Sequence, residues 1–111
     1  MRIAVIGGRE KNEVELTRIA AESGYDIELH DGHVAGRGSD TIRAAIARAD
    51  LAVIVTDINS HGAVFVAKKA ARQHHKPTLV IRKFSSARLR GLIDALERRK
   101  QGVEFPLASY G

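Results

Sequence analysis

Four short apolar runs, each followed by a stretch of helical periodicity, limit what this chain can fold into more than any other feature. The runs are Arg2–Ile6, Asp26–His30, Leu51–Thr56 and Thr78–Arg82. Alternation of this kind is what stacked βαβ units produce, and it predicts a parallel sheet with helices on both faces. Right-handed crossovers leave few layouts for four such strands. The flavodoxin-like order 2-1-3-4 is preferred, giving an α/β three-layer sandwich of Rossmann-like type.

The intervening segments carry the expected helix signals. Asn12 with Glu15 three residues on reads as a capping box, followed by Leu16, Ile19 and Ala20 on one face and by Gly24 as a stop. A second helix is expected from Ser39 or Asp40, with Ile42, Ala45, Ile46 and Ala49 at spacings of three and four. A third follows His61–Gly62, burying Val64, Ala67 and Ala71 and ending before Pro77. The fourth is capped by Ser85 or Ser86 and presents Leu89, Leu92, Ile93 and Leu96. Each has the apolar stripe needed to lie on a sheet.

A chain of 111 residues has room for one such sheet and one core. Residues 1–100 are therefore read as a single Rossmann-like domain and residues 101–111 as a C-terminal tail. Val103, Phe105, Leu107 and Tyr110 make that tail apolar. It is expected to pack on its own domain or on a second subunit, so a homodimer is anticipated. Aromatic residues make up 5% and Trp is absent, so the core must be aliphatic. With no cysteine, disulfides, thiolate metal sites and cysteine nucleophiles are excluded, and a reducing compartment is expected. Met1–Arg2 leads into a short run ending at Ile6, far less than a secretory h-region, and no apolar stretch approaches the roughly 18–20 residues of a membrane helix. The expectation is a cytoplasmic protein with no membrane partner.

In open parallel sheets, ligands bind beyond the carboxyl ends of the strands, where the chain reverses its direction of strand addition. Here that point lies between the first and third strands. The loops emerging there are Gly7-Gly8-Arg9-Glu10-Lys11 and Thr56-Asp57-Ile58-Asn59-Ser60-His61, with His30-Asp31-Gly32-His33 arriving from the second strand. Adjacent glycines permit positive φ and close approach, so Gly7 and Gly8 either cradle phosphate oxygens against the first helix or form a tight turn. The dinucleotide fingerprint Gly-x-Gly-x-x-Gly is absent, because Arg9 to Asn12 stand where later glycines belong.

His30, His33 and His61 are the candidate metal ligands, since neutral imidazole is a common ligand and also titrates near physiological pH. Asp57 is a candidate to fix an imidazole's tautomer, and Ser60 to cap the third helix. A Ser60/His30/Asp31 triad can be written, but the sequence lacks a Gly-x-Ser-x-Gly nucleophile elbow. Arg82 and Lys83 end the fourth strand on the same edge and suit an anionic ligand. His74 and His75 fall at a helix end on the opposite edge, where they complement the dipole.

The net charge of +5, with a pI near 10.0, favours anionic partners. The segment Arg82–Lys100 holds seven Lys and Arg against Asp94 and Glu97, which accounts for the whole excess.

With these residues assembled, the chain resembles a bacterial family, domain of unknown function 2325. The likeness is carried by Val5-Ile6-Gly7-Gly8, His30-Asp31-Gly32, Ala49-Asp50-Leu51, Thr56-Asp57, Ser60-His61 and Lys76-Pro77, and it extends to about Leu96. The resemblance implies a Rossmann-like fold, a shared site and an association with iron-related function, and it leaves the tail outside.

Three functions follow in order of preference. The first is an iron or haem binder, with His30 or His61 as ligand and Arg9, Arg82 or Lys83 pairing with carboxylates such as haem propionates. The second is a module for a nucleotide-like or phosphorylated ligand, held by Gly7, Gly8, Arg9, Lys11 and Arg82. The third, less favoured, is a nucleic-acid-binding accessory using the basic last helix, where Phe84 is the only nearby aromatic.

Overall fold

The alternation of side chains along the central strands divides the interior in two. In β1 (Arg2–Ile6), Ile3 and Val5 point to one face of the sheet while Ala4 and Ile6 point to the other. In β3 (Leu51–Val55), Leu51, Val53 and Val55 join the first set and Ala52 and Ile54 the second. The two strands pair directly, Ile3 with Leu51 and Val5 with Val53, so the pattern runs unbroken across the middle of the sheet. Strands buried on both faces need such near-continuous apolar runs.

A computed structural model describes residues 1–8, 12–34, 36–57 and 59–100. Between the strands lie α1 (Glu13–Glu22), α2 (Gly38–Arg48), α3 (His61–Gln73) and α4 (Ser86–Lys100), with β2 (Asp26–His30) and β4 (Thr78–Ile81) at the sheet edges. All pairings are parallel and the order is β2-β1-β3-β4, as the sequence predicts. α1 and α4 pack together on one face, α2 and α3 on the other. Arg9, Lys11 and the tail Val103–Gly111 fall outside the described residues.

The helix starts depart from expectation in an instructive way. Asn12 precedes α1, but its backbone lies at φ −115°, ψ 31° and its side chain makes no capping bond. Ser60 lies at φ −84°, ψ 150°, the extended geometry a cap requires, and its Oγ accepts the Ala63 N–H at 3.0 Å. Ser85 caps α4 likewise, accepting the Arg88 N–H at 3.2 Å. α2 begins at Gly38, ahead of Ser39, and its flanking Arg37 supplies no side-chain cap. A Cβ at Gly38 would sit 2.0 Å from the His33 carbonyl oxygen, so close packing fixes the start there.

Among the described residues, no helix is long and apolar enough to cross a membrane.

Candidate functional site

The chain leaves β1 in one direction to reach β2 and later returns to place β3 on the other side of β1. Above that junction, three loops are tied together by Asn59, a residue with no role in the sequence reading. Asn59 donates from Nδ2 to the Val55 carbonyl at 2.7 Å and to the Ile6 carbonyl at 3.3 Å, while its Oδ1 accepts the Ser60 N–H at 2.9 Å. Two carbonyls on one side and an amide on the other fix which way the carboxamide points.

The glycines flanking Asn59 make room for it. Gly7 has φ +98°, and a Cβ there would lie 2.3 Å from Asn59 Nδ2. Gly32 has φ +85°, and a Cβ there would lie 2.2 Å from Asn59 Oδ1. Glycine is required at both positions by conformation and by contact. Ser60 completes the knot, its hydroxyl donating to the Gly32 carbonyl at 3.1 Å while it caps α3. For Gly7 the turn is therefore the role the structure displays. Gly8, at φ +82°, is different, since among the described residues a Cβ would meet Val55 at an ordinary 3.6 Å.

His30 is drawn into the same framework. Its Nδ1 accepts the Gly32 N–H at 3.0 Å, and its Nε2 lies 2.7 Å from Thr41 Oγ1. The Thr41 hydroxyl gives its single proton to the Gly38 carbonyl at 2.8 Å, so His30 Nε2 must be the donor. His30 is thus the neutral Nε2–H tautomer, assigned from its partners, with both ring nitrogens engaged. Asp31 stands 3.7 Å from His30 Nδ1 and accepts the His33 N–H at 2.8 Å.

This geometry bears on the triad that the sequence already disfavours and on the reading of Asp57. The Ser60/His30/Asp31 triad does not form, because His30 Nε2 faces Thr41 and the Ser60 proton is held by a carbonyl. Asp57 does not steady an imidazole among the described residues; its ionic neighbour is Arg82 Nε at 3.9 Å. The backbones of these two residues extend the β3–β4 ladder, the Asp57 N–H donating to the Arg82 carbonyl at 2.9 Å.

His61 is the first residue of α3 and is exposed, as is His33. Among the described residues, no three His, Asp or Glu side chains gather as a metal would need, so His30, His33 and His61 are not brought together. Arg82 is 84% exposed at its side chain, and Lys83 is also exposed. Arg9 lies outside the described residues.

Carboxylates distinguish the two helix starts near the junction. The first turn of α1 carries Glu13 and Glu15, whereas that of α3 carries none. A helix N-terminus attracts anions, and acidic side chains in its first turn oppose them.

The titrations that are displaced lie toward the amino edge. Burial pushes Glu28 up, but hydrogen bonds and charge from Arg48 and Arg2 outweigh it and hold the carboxyl below its ordinary value. Burial, together with the Glu97 carboxylate, raises the Tyr25 phenol.

Comparison with known proteins places the chain. The profile of a family described as uncharacterised and conserved in bacteria (DUF2325) matches residues 2–96. The chain belongs to this family. UPF0751 proteins from two strains of Desulfitobacterium hafniense, DSM 10664 / DCB-2 and Y51, are each 29% identical over 83 residues, covering 74% of this chain and 81% of theirs. The DUF2325 match spans every element from β1 to most of α4 and stops before the tail, which is where the sequence resemblance also stops.

Asn59 and Thr41 are the positions that sequence reasoning missed. Asn59 sat within a recognised loop, beside a serine read as a cap. What hid it is that its neighbours, Gly7 and Gly32, are distant in sequence and meet only through the strand order.

Proposed function

We propose that this chain binds a small phosphorylated ligand of nucleotide-like type at the carboxyl edge between β1 and β3. The observation that carries the reading is the set of groups the fold leaves available there. α3 opens toward this edge with no carboxylate in its first turn and an exposed His61 at its first position. Arg82 on the same edge is exposed, and among the described residues its ionic contact is Asp57 at 3.9 Å. Gly8 keeps an open backbone beside Val55. Cationic and N–H donors at a topological switch point suit phosphate oxygens. The carboxylates of α1 direct the anion toward α3.

Iron or haem ligation through histidine finds less support. His30 has both nitrogens engaged, and His33 and His61 do not join it in a donor set. The absence of cysteine accords with a reducing compartment, which we take to be the cytoplasm. We also propose a homodimer, because the apolar tail needs cover; sedimentation of the full chain at the mass of one protomer would remove that part.

Thermal unfolding against a panel of nucleotides and sugar phosphates tests the reading. A member that binds raises Tm, and the rise disappears in His61→Ala and Arg82→Ala while the unliganded Tm stays unchanged. If no member raises Tm, or the rise survives both substitutions, the site is misplaced. A Soret band with hemin that is lost in His61→Ala would transfer the same edge to the haem reading.

A further inference from the structure

Beside the basic segment Arg82–Lys100, the fold sets a second group of cations on α3. Arg98 pairs with Asp94 at 3.3 Å and Lys100 with Glu97 at 3.4 Å, both within α4. α3 is otherwise. It contains no carboxylate, and among the described residues Lys68, Lys69 and Arg72 have neither an ion pair nor a side-chain hydrogen bond. All three are exposed. Across α2 and α3 together the only carboxylate is Asp40, and Arg43 neutralises it at 3.2 Å.

An aromatic lies in the same array. Phe65 is 66% exposed, a large apolar side chain with no place in either core cluster. At 3.6 residues per turn, Phe65, Lys68, Lys69 and Arg72 fall within roughly 100° of arc, facing away from the buried Ala63, Ala67, Ala70 and Ala71. They form one straight stripe about two turns long, beginning one turn beyond His61.

We propose that this stripe is a docking track for single-stranded nucleic acid, with phosphates on Lys68, Lys69 and Arg72 and a base stacked on Phe65. Charge complementarity selects a polyanion, because a row of uncompensated cations one turn long matches successive phosphates. Phe65 selects a single strand, since a duplex keeps its bases stacked on each other and would leave the ring in water. A lipid surface suits the stripe less well: membrane-lying helices need a broad apolar face, and the apolar face of α3 is against the sheet. The proposal involves a different surface from the phosphate-binding edge and does not rest on it.

Fluorescence anisotropy of labelled oligo(dT) and oligo(U) with the full chain is the test. Binding is expected to weaken roughly twentyfold between about 50 and about 200 mM salt, as three phosphate contacts on a single strand require. Phe65→Ala should lower affinity about fivefold or more, and the Lys68→Gln/Lys69→Gln/Arg72→Gln triple variant should abolish binding, each with Tm unchanged. Arg98→Gln/Lys100→Gln should bind as the parent does. Preference for one oligomer over the other distinguishes DNA from RNA within the same chemistry. The proposal is overturned if neither oligomer binds, if Phe65→Ala binds like the parent, or if the α4 variant loses as much as the α3 variant. Phe65-dependent binding to phosphatidylglycerol vesicles without binding to either oligomer would assign the stripe to membranes instead.

Discussion

The two helical layers of this protein cover the same sheet with opposite materials. Beneath α1 and α4 the interior is built from large side chains, Leu16, Ile19, Leu89, Leu92, Ile93 and Leu96 against Ile3, Val5 and Val53. Beneath α2 and α3 it is largely alanine, with Ala45, Ala49, Ala63, Ala67, Ala70 and Ala71 meeting Ala4 and Ala52. The outer surfaces differ as well. α1 and α4 carry both signs of charge, with ion pairs Arg18–Glu22, Arg98–Asp94 and Lys100–Glu97, whereas α3 carries only positive charge. The knot of His30, Gly32, Asn59 and Ser60 ties the β2 and β3 loops to α2 and α3, while the Asp57–Arg82 contact bridges the loops after β3 and β4. One layer supplies most of the buried apolar volume. The other holds the tightly hydrogen-bonded loops and a helix without a carboxylate.

The layers should therefore fail in opposite ways, and the largest effect belongs to the large-residue side. Leu89 is 0% exposed, and Leu89→Ala is expected to cost about 2–5 kcal/mol through lost burial and the cavity left behind. On the other face Ala67 is 0% exposed between α3 and the sheet, and Ala67→Leu should cost about 1–3 kcal/mol by overpacking. Urea unfolding measures both. An Ala67→Leu variant as stable as the parent would show that the alanine layer is loosely packed.

The knot gives the next effect. Gly32→Ala combines a side chain at φ +85° with a 2.2 Å approach to Asn59 Oδ1, and about 2 kcal/mol of destabilisation is expected. Asn59→Gly removes the steric part and leaves the backbone part. A double-mutant cycle should thus show a favourable coupling of about 1 kcal/mol between positions 32 and 59. Additive losses would mean that the loops are not held together by this contact.

How much of this was legible in the sequence follows from the range of the interactions concerned. Strands and helix faces repeat over a few residues, so the order β2-β1-β3-β4 and the buried sets around Leu16, Ile42, Ala67 and Leu92 could be read directly. Caps were half legible. Ser60 and Asn12 have similar residue chemistry, but only Ser60 has the extended backbone that aims its oxygen at an amide. The knot was not legible, because Gly7, Gly32 and Asn59 come from three loops and their purpose is mutual. Charge was legible as a total and not as an arrangement: counting Arg82–Lys100 against Asp94 and Glu97 gives the excess, but not that these carboxylates lie beside Arg98 and Lys100.

Glu28 sharpens the contrast at the margin of the alanine layer, where it links Arg2 on β1 to Arg48 at the end of α2. Its carboxyl is held below the ordinary value in the fold, so its stabilisation is present above the unfolded value and is lost as pH falls through the lower folded one. Glu28→Gln is expected to cost about 1 kcal/mol at pH 7. That cost should shrink toward zero in strongly acidic buffer. A penalty independent of pH would show that shape, rather than charge, matters at this position.

The smallest expected effect compares how the two layers end a helix. α1 closes at Gly24, with φ +79°, the residue type that adopts left-handed backbone without penalty. α3 closes at His75, with φ +53°, where the Lys76 N–H still reaches the Ala71 carbonyl at 2.8 Å. The same kind of stop is made on one side by glycine and on the other by a side chain held in a disfavoured conformation. His75→Gly should accordingly raise stability by about 0.5–1 kcal/mol, the relief of that backbone exceeding the extra freedom glycine has when unfolded. Gly24→Ala should lower it by about 1 kcal/mol. Since His75 lies on the edge of the sheet opposite His61, ligand-induced shifts in Tm should be the same in His75→Gly as in the parent. A loss of ligand response in that variant would mean that His75 contributes to binding, and that the functional side of this protein extends beyond the carboxyl edge.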